Sequence, residues 1–117
     1  VLVVDADPDI RNILNLILEG YGFKVYTSPS AVDALEWFGL EPGKYDLMIS
    51  ELSLPGMSGI ELSKNTFALR PHFPIILMSG KFDSSVLLDC KNLGIRVLKK
   101  PWNEDDLLNE IRALNLE

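Results

Sequence analysis

Four stretches of the chain carry groups able to act on a phosphoryl group: Asp5-Ala6-Asp7, Glu51, Ser79-Gly80-Lys81 and Lys100-Pro101. Acids, a hydroxyl and an ammonium brought to one rim can bind and orient phosphoryl oxygens, because such chemistry depends on positioning and on charge neutralisation. Each stretch sits at the end of a short apolar run. The four can therefore meet only if those runs are neighbouring strands that all end at the same edge of a sheet.

The chain carries the signals for such a sheet. Strands are expected over Val1–Asp5, Phe23–Thr27, Asp46–Ser50, Ile75–Ser79 and Ile95–Lys99, mostly apolar runs suited to burial on both faces. Helical stretches lie between them. Asp7 and Pro8 open the first, with Ile10, Ile13, Leu14 and Ile17 at helical spacing and a stop at Gly20-Tyr21-Gly22. Ser28-Pro29-Ser30 opens a second, which carries Val32, Leu35 and Phe38 and ends by Gly39 and Pro42. A third covers Ile60–Leu69. The fourth spans Asp83–Leu93 and ends at Gly94, and Asn103 caps a fifth over Asp105–Leu114. Five βα units predict an α/β fold with a parallel sheet covered by helices on both faces, since right-handed crossovers place them there. Ligands of such folds bind beyond the carboxyl ends of the strands, where the strand order reverses. That is where the four stretches fall.

Composition narrows the function. The 117 residues hold 17 acidic and 11 basic side chains, a formal net charge of −6. That balance argues against a nucleic-acid surface, which needs clustered Lys and Arg. Cys90 is the single cysteine, so no intrachain disulfide or Cys-based zinc site is expected. No apolar segment approaches the roughly 18 residues of a membrane span, and no signal peptide pattern opens the chain, so a cytoplasmic setting without a membrane partner is expected. Residues 1–117 read as one domain with no repeat or linker. The chain opens directly on a strand, which reads as a module excised from a longer polypeptide.

Val3-Val4-Asp5, Tyr45-Asp46-Leu47, Leu54-Pro55-Gly56-Met57-Ser58-Gly59, Ser79 after its apolar run and Lys100-Pro101-Trp102 occur in the order and spacing of a known family. The chain resembles a receiver domain of bacterial two-component response regulators along essentially its whole length. The resemblance implies a doubly wound, flavodoxin-like five-stranded parallel sheet in order 2-1-3-4-5, with two helices on one face and three on the other. It also implies a cis Lys100–Pro101 peptide. In active members an acidic pair after the first strand and a backbone carbonyl after the third hold Mg²⁺, and an Asp ending the third strand accepts the phosphoryl group. A Ser or Thr and a Lys on later strands contact its oxygens. By position, Asp5 matches the first acid, Ser53 the carbonyl, Ser79 the hydroxyl and Lys100 the ammonium.

Three positions depart from the pattern. Ala6 stands where the second acid belongs and supplies no oxygen to a cation that demands near-octahedral oxygen ligands. Asp7 lies one residue further on, and capping the helix competes with any use of it as a ligand. Glu51 stands at the phosphoacceptor position. A carboxylate can be a phosphorylated nucleophile, but the extra methylene moves its oxygens by roughly 1 Å, a displacement that can cost about 100-fold in rate. Val97 stands where an aromatic couples the site to the output face, and a β-branched side chain has no ring to swing. Glu51 reaches towards Ser79 and Lys100, either as a mimic of the phosphorylated state or as a plain ion pair with Lys100.

The expected function is therefore a non-enzymatic, receiver-like signalling module that works by protein–protein interaction without accepting phosphate. Asp5, Glu51 and Ser53 bind Mg²⁺ weakly or not at all, and no other cofactor is expected. Sensor kinases and other signalling proteins are the expected partners. A second copy is a further candidate, through the face of the fourth helix, fifth strand and fifth helix, where Arg96, Lys99 and Asp105 lie. Two alternatives remain open. One is a working receiver with weak Mg²⁺; the other is a haloacid-dehalogenase-like phosphohydrolase using Asp5 as nucleophile and Asp7 as general acid. Against the second, the chain is short and Asp105 and Asp106 fall in a helix rather than at a strand end. His72 is read as an exposed loop residue and Lys81 as a solvated one. Cys90 and Trp102 are read as packing residues, and one of the adjacent Trp37 and Phe38 rings must face outward.

Overall fold

Short apolar runs with alternating side chains need cover on both sides, and this chain supplies it with helices. In the computed structural model, which describes residues 1–116, the order is β1 (Leu2–Val4), α1 (Pro8–Gly20), β2 (Tyr26–Ser28), α2 (Ala31–Leu40), β3 (Met48–Glu51), α3 (Gly59–Leu69), β4 (Ile75–Ser79), α4 (Ser84–Leu93), β5 (Arg96–Lys99) and α5 (Glu104–Ala113). A single 3₁₀ turn, Pro42–Lys44, precedes β3. All strands run parallel in the order β2-β1-β3-β4-β5, the arrangement expected from the sequence.

Alternation along the strands divides the core in two. Leu2, Val4, Met48, Ile75 and Leu77 point to one face and pack with Ala31, Phe38, Leu62 and Cys90 from α2, α3 and α4. Val3, Ile49, Ile76, Met78 and Leu98 point to the other and meet Leu14, Leu18, Leu107 and Ile111 from α1 and α5. Three helices thus cover one face and two the other. Cys90 is buried, and Trp102 packs against the α1–α5 side. Phe38 is fully buried while its neighbour Trp37 faces outward, and His72 lies exposed in the turn after α3.

Several boundaries differ from the sequence expectation. β2 begins at Tyr26 rather than Phe23, because it pairs only with β1, whose three residues from Leu2 to Val4 give it no longer ladder. Phe23 and Val25 still pack against the α1–α5 side, which is why they read as strand. Asp46 stays exposed ahead of β3, and Glu51 becomes the last residue of that strand. Ile13 and Val32 were expected on core faces but are 46% and 54% exposed; Leu14 and Leu18 fill the α1 contact, and Ala31, Ala34 and Phe38 that of α2.

The helix termini are closed by side chains. Asp7, Ser30, Ser58, Asp83 and Asn103 each accept a hydrogen bond from the backbone of the first turn that follows. Asn103 and Asp106 bond each other's backbone reciprocally, a capping box at the start of α5. Gly94 ends α4 in the left-handed region at φ 75°, where a side chain would be strained.

Candidate functional site

The parallel register places Asp5 just beyond β1, Glu51 at the end of β3, Ser79 at the end of β4 and Lys100 just after β5, all on one rim. Asp5 is 3% exposed. Its Oδ1 accepts the Asp7 N–H at 2.9 Å, and Arg11 Nη1 donates to its backbone carbonyl at 2.6 Å. Its Oδ2 is buried and accepts no hydrogen bond. Ala6 is exposed, and its methyl side chain offers no oxygen. Asp7 spends its carboxylate on the Asp9 N–H, as a helix cap.

Lys100 joins the two acids. Its Nζ donates to Glu51 Oε2 at 2.6 Å and stands 3.7 Å from Asp5 Oδ2. Burial by itself would lower the pKa of this ammonium. The hydrogen bond and charge of Glu51, with the charge of Asp5, outweigh that effect and raise it above the ordinary lysine value. The peptide between Lys100 and Pro101 is cis.

Ser79 departs from the expected grouping. Its Oγ donates to the Lys81 carbonyl at 2.9 Å and accepts the Lys81 N–H at 3.2 Å, so the hydroxyl closes its own turn rather than meeting Glu51. A hydroxyl two residues before a free backbone amide forms such a turn readily, a local competitor that spacing along the chain does not reveal. Ser53 is exposed on the loop after β3 and lines a groove of about 580 Å³ with Lys81 and Asp83.

Gly59 also shapes the rim. Its N–H donates to the Leu52 carbonyl at 2.7 Å. A methyl group there would lie 2.7 Å from the Glu51 carbonyl oxygen and 3.0 Å from both Leu52 Cα and Leu77 Cδ2. Only glycine lets α3 start so close to the strand that carries Glu51. Within the turn-rich stretch the sequence had marked this residue, but not its purpose.

Away from the rim, Val97 is half-buried against the α2–α4 side of the core. With Leu87, Cys90, Lys91, Ile95, Arg96 and Glu110 it lines a groove of about 370 Å³ between α4 and α5. Arg96 Nε donates to Glu110, and Lys99 and Asp105 are exposed.

The sequence model of the response regulator receiver domain matches residues 1–112. The chain belongs to that family. It is 33% identical over 115 residues to the transcriptional regulatory protein FixJ of Bradyrhizobium diazoefficiens, a match covering 97% of this chain and 55% of FixJ. It is 33% identical over 113 residues to the C4-dicarboxylate transport transcriptional regulatory protein DctD of Rhizobium meliloti, covering 96% of this chain and 24% of that regulator. The chain therefore spans about half or less of these relatives' length. Among solved structures, a receiver domain protein from Clostridium thermocellum superposes with a TM-score of 0.89 at 26% identity, covering 97% of this chain and 90% of the other. The protein is thus a receiver domain of the two-component response regulator type, a family of signalling modules that are typically non-catalytic. Among the described residues no helix is long and apolar enough to cross a membrane.

Mg²⁺ is the cofactor this receiver family implies, and the rim does not fit it. Two carboxylates face the position, both paired with Lys100, but Ala6 leaves one oxygen donor missing. Among the described residues no three acids, histidines or cysteines are grouped as metal ligands. A small, strongly hydrated dication demands near-ideal octahedral oxygen ligands, and the side chain at position 6 supplies none.

Proposed function

We propose that this receiver domain signals through protein–protein contacts without accepting a phosphoryl group. The observation that carries the reading is the Lys100–Glu51 contact of 2.6 Å, formed by a glutamate at the phosphoacceptor position while Ala6 supplies no metal ligand. Glu51 engages Lys100 but leaves Ser79 in its own turn, so it reproduces only part of the contacts of a phosphoryl group. This favours a resident ion pair over a mimic of the phosphorylated state. In this reading Asp5, Glu51 and Ser53 mark the former metal site, and Ser79 and Lys100 the former phosphoryl contacts.

Partners are sensor kinases or other signalling proteins, or a second copy, meeting the α4–β5–α5 face at Arg96, Lys99 and Asp105. With Val97 in place of an aromatic, no ring on β5 has two positions through which rim and face could be coupled, and coupling needs such a two-state element. The net charge of −6 works against nucleic-acid binding by this domain. The phosphohydrolase alternative is disfavoured by Asp5, buried and tied to a backbone amide, and by Asp7, occupied as a cap.

The test is the response to phosphoryl donors. Acetyl phosphate with Mg²⁺ is expected to leave the chain unlabelled. Beryllofluoride with Mg²⁺ is expected to change partner affinity or self-association by less than about tenfold, which corresponds to about 1.4 kcal/mol. Stable labelling of Glu51, or a larger change, would overturn the reading.

A further inference from the structure

The last turn of α2 carries large apolar side chains that no core uses. Leu40 is 76% exposed and Trp37 38%. With Glu41, Tyr26, Lys44 and Tyr45 they line a groove of about 330 Å³. Tyr26 opens β2 and Tyr45 lies ahead of β3, so the groove sits at the amino ends of the strands, opposite the carboxyl rim. β2 is also the edge strand farthest from β5, which separates the groove from the α4–β5–α5 face.

The groove already holds a cation. Lys44 Nζ stands 4.3 Å from the centroid of the Tyr26 ring and 5.9 Å from that of Tyr45, and the two rings meet edge to face at 5.5 Å. An ammonium over a ring face is drawn to the negative face of its quadrupole. Glu41 lies 3.9 Å from Lys44, an exposed pair that holds it weakly. Arg70, the other base nearby, donates to the Pro42 and Tyr45 carbonyls and lies over the Phe73 ring. Both bases are thus turned onto groups of the domain itself. The acids are not. Asp33 and Glu36 are exposed, and helical spacing puts them on the side of α2 that carries Trp37 and Leu40. Among the described residues neither forms an ion pair.

We propose that this groove docks a basic, apolar segment of a partner protein. Its apolar side chains cover Trp37 and Leu40, a Lys or Arg takes the tyrosine faces in place of Lys44, and further basic groups meet Asp33, Glu36 and Glu41. Charge decides among the occupants. A second copy would bring the same acids against these, and an anionic lipid or nucleic acid would meet repulsion from a chain of net charge −6. An acidic segment would be repelled in the same way. The groove is a second docking surface beside the α4–β5–α5 face, and it does not depend on how the rim treats phosphate.

The probe is a synthetic amphipathic peptide with leucine and arginine at helical spacing. It is compared with the same peptide bearing glutamate for arginine, and with one bearing serine for leucine. Binding to the domain is followed by calorimetry and by NMR shifts of backbone amides and indole N–H groups. The leucine–arginine peptide is expected to bind with shifts centred on Tyr26, Trp37, Leu40 and Lys44, and the two controls at least about tenfold more weakly. Trp37→Ala, and Glu36→Lys combined with Glu41→Lys, are each expected to weaken binding at least about tenfold. Lys44→Ala removes the competing ammonium and is expected to tighten binding about two- to fivefold. Leu16→Ser, at a residue 72% exposed on α1, is expected to bind as wild type does.

Equal binding of the arginine and glutamate peptides would overturn the proposal, as would shifts centred away from the groove. So would a loss at Leu16→Ser as large as at Trp37→Ala, or Lys44→Ala binding no more tightly than wild type. Self-association of the wild-type domain that Trp37→Ala abolishes would give the face to a second copy and overturn it as well. Should Trp37→Ala fail to fold, Leu40→Ser decides in its place. None of these measurements uses a phosphoryl donor, so either result leaves the reading of the rim to its own test.

Discussion

Lys100 is more firmly protonated in the folded domain than in the unfolded chain, because the hydrogen bond and charge of Glu51 and the charge of Asp5 exceed the loss of hydration. A raised pKa means that the lysine stabilises the fold at all pH values below the unfolded pKa of about 10.4, and that the gain fades as pH rises through the higher folded value. The stability gap between wild type and Lys100→Met, read from urea unfolding, is therefore expected to be flat around neutrality and to narrow only above about pH 10. A gap that closed near neutral pH would contradict the shared ion pair. At the same scale, Ala6→Asp combined with Glu51→Asp supplies the missing oxygen and shortens the arm that holds Lys100. Acetyl phosphate with Mg²⁺ is expected to label that double variant and not wild type, as seen by intact mass.

Individual elements are held to the rim by close approach. Gly59 lets the start of α3 touch the end of β3, and a methyl group there would press on the Glu51 carbonyl and on backbone, which cannot rotate away. Gly59→Ala is expected to cost about 1–3 kcal/mol in chemical unfolding, the usual range for overpacking. Gly20, at the end of α1, has nothing within 4 Å of the corresponding position and no positive φ. Gly20→Ala is expected to be neutral or to stabilise by up to about 1 kcal/mol. Equal losses at the two sites would show that the tight seat of α3 is not real. β2 belongs to the same scale: its length follows from that of β1, and the apolar Phe23 and Val25 ahead of it serve the core without joining the ladder.

Across the whole molecule, stability rests on two cores that share one sheet. Phe38 is central to the one under α2, α3 and α4, with ring centroids 4.8 Å from Phe73 and 5.9 Å from Tyr45. It is fully buried, so Phe38→Ala is expected to cost about 3–5 kcal/mol, measured as the shift in unfolding free energy. A loss below about 1 kcal/mol would mean that this core repacks freely. Its rim contacts are expected to survive in the folded fraction, because Glu51 and Lys100 are anchored by the strands rather than by α2.

The layout of the domain was legible in the sequence because it depends on local and periodic signals. Apolar runs mark the strands, Asp7, Asp83 and Asn103 mark helix starts, Gly94 marks a stop, and five alternating units leave little choice of architecture. The chemistry of the rim was legible as residue types: Ala6, Glu51 and Val97 depart from the family pattern by identity alone. Three matters needed the tertiary structure. That Ser79 spends its hydroxyl on Lys81, that Ile13 and Val32 face water, and that Lys100 bridges acids from two other strands depend on angstrom-scale distances between segments remote in sequence. Sequence spacing carries side-chain periodicity along an element. It does not carry the direction of a side chain at a strand end, where hydrogen bonds and charges from several strands compete for the same group.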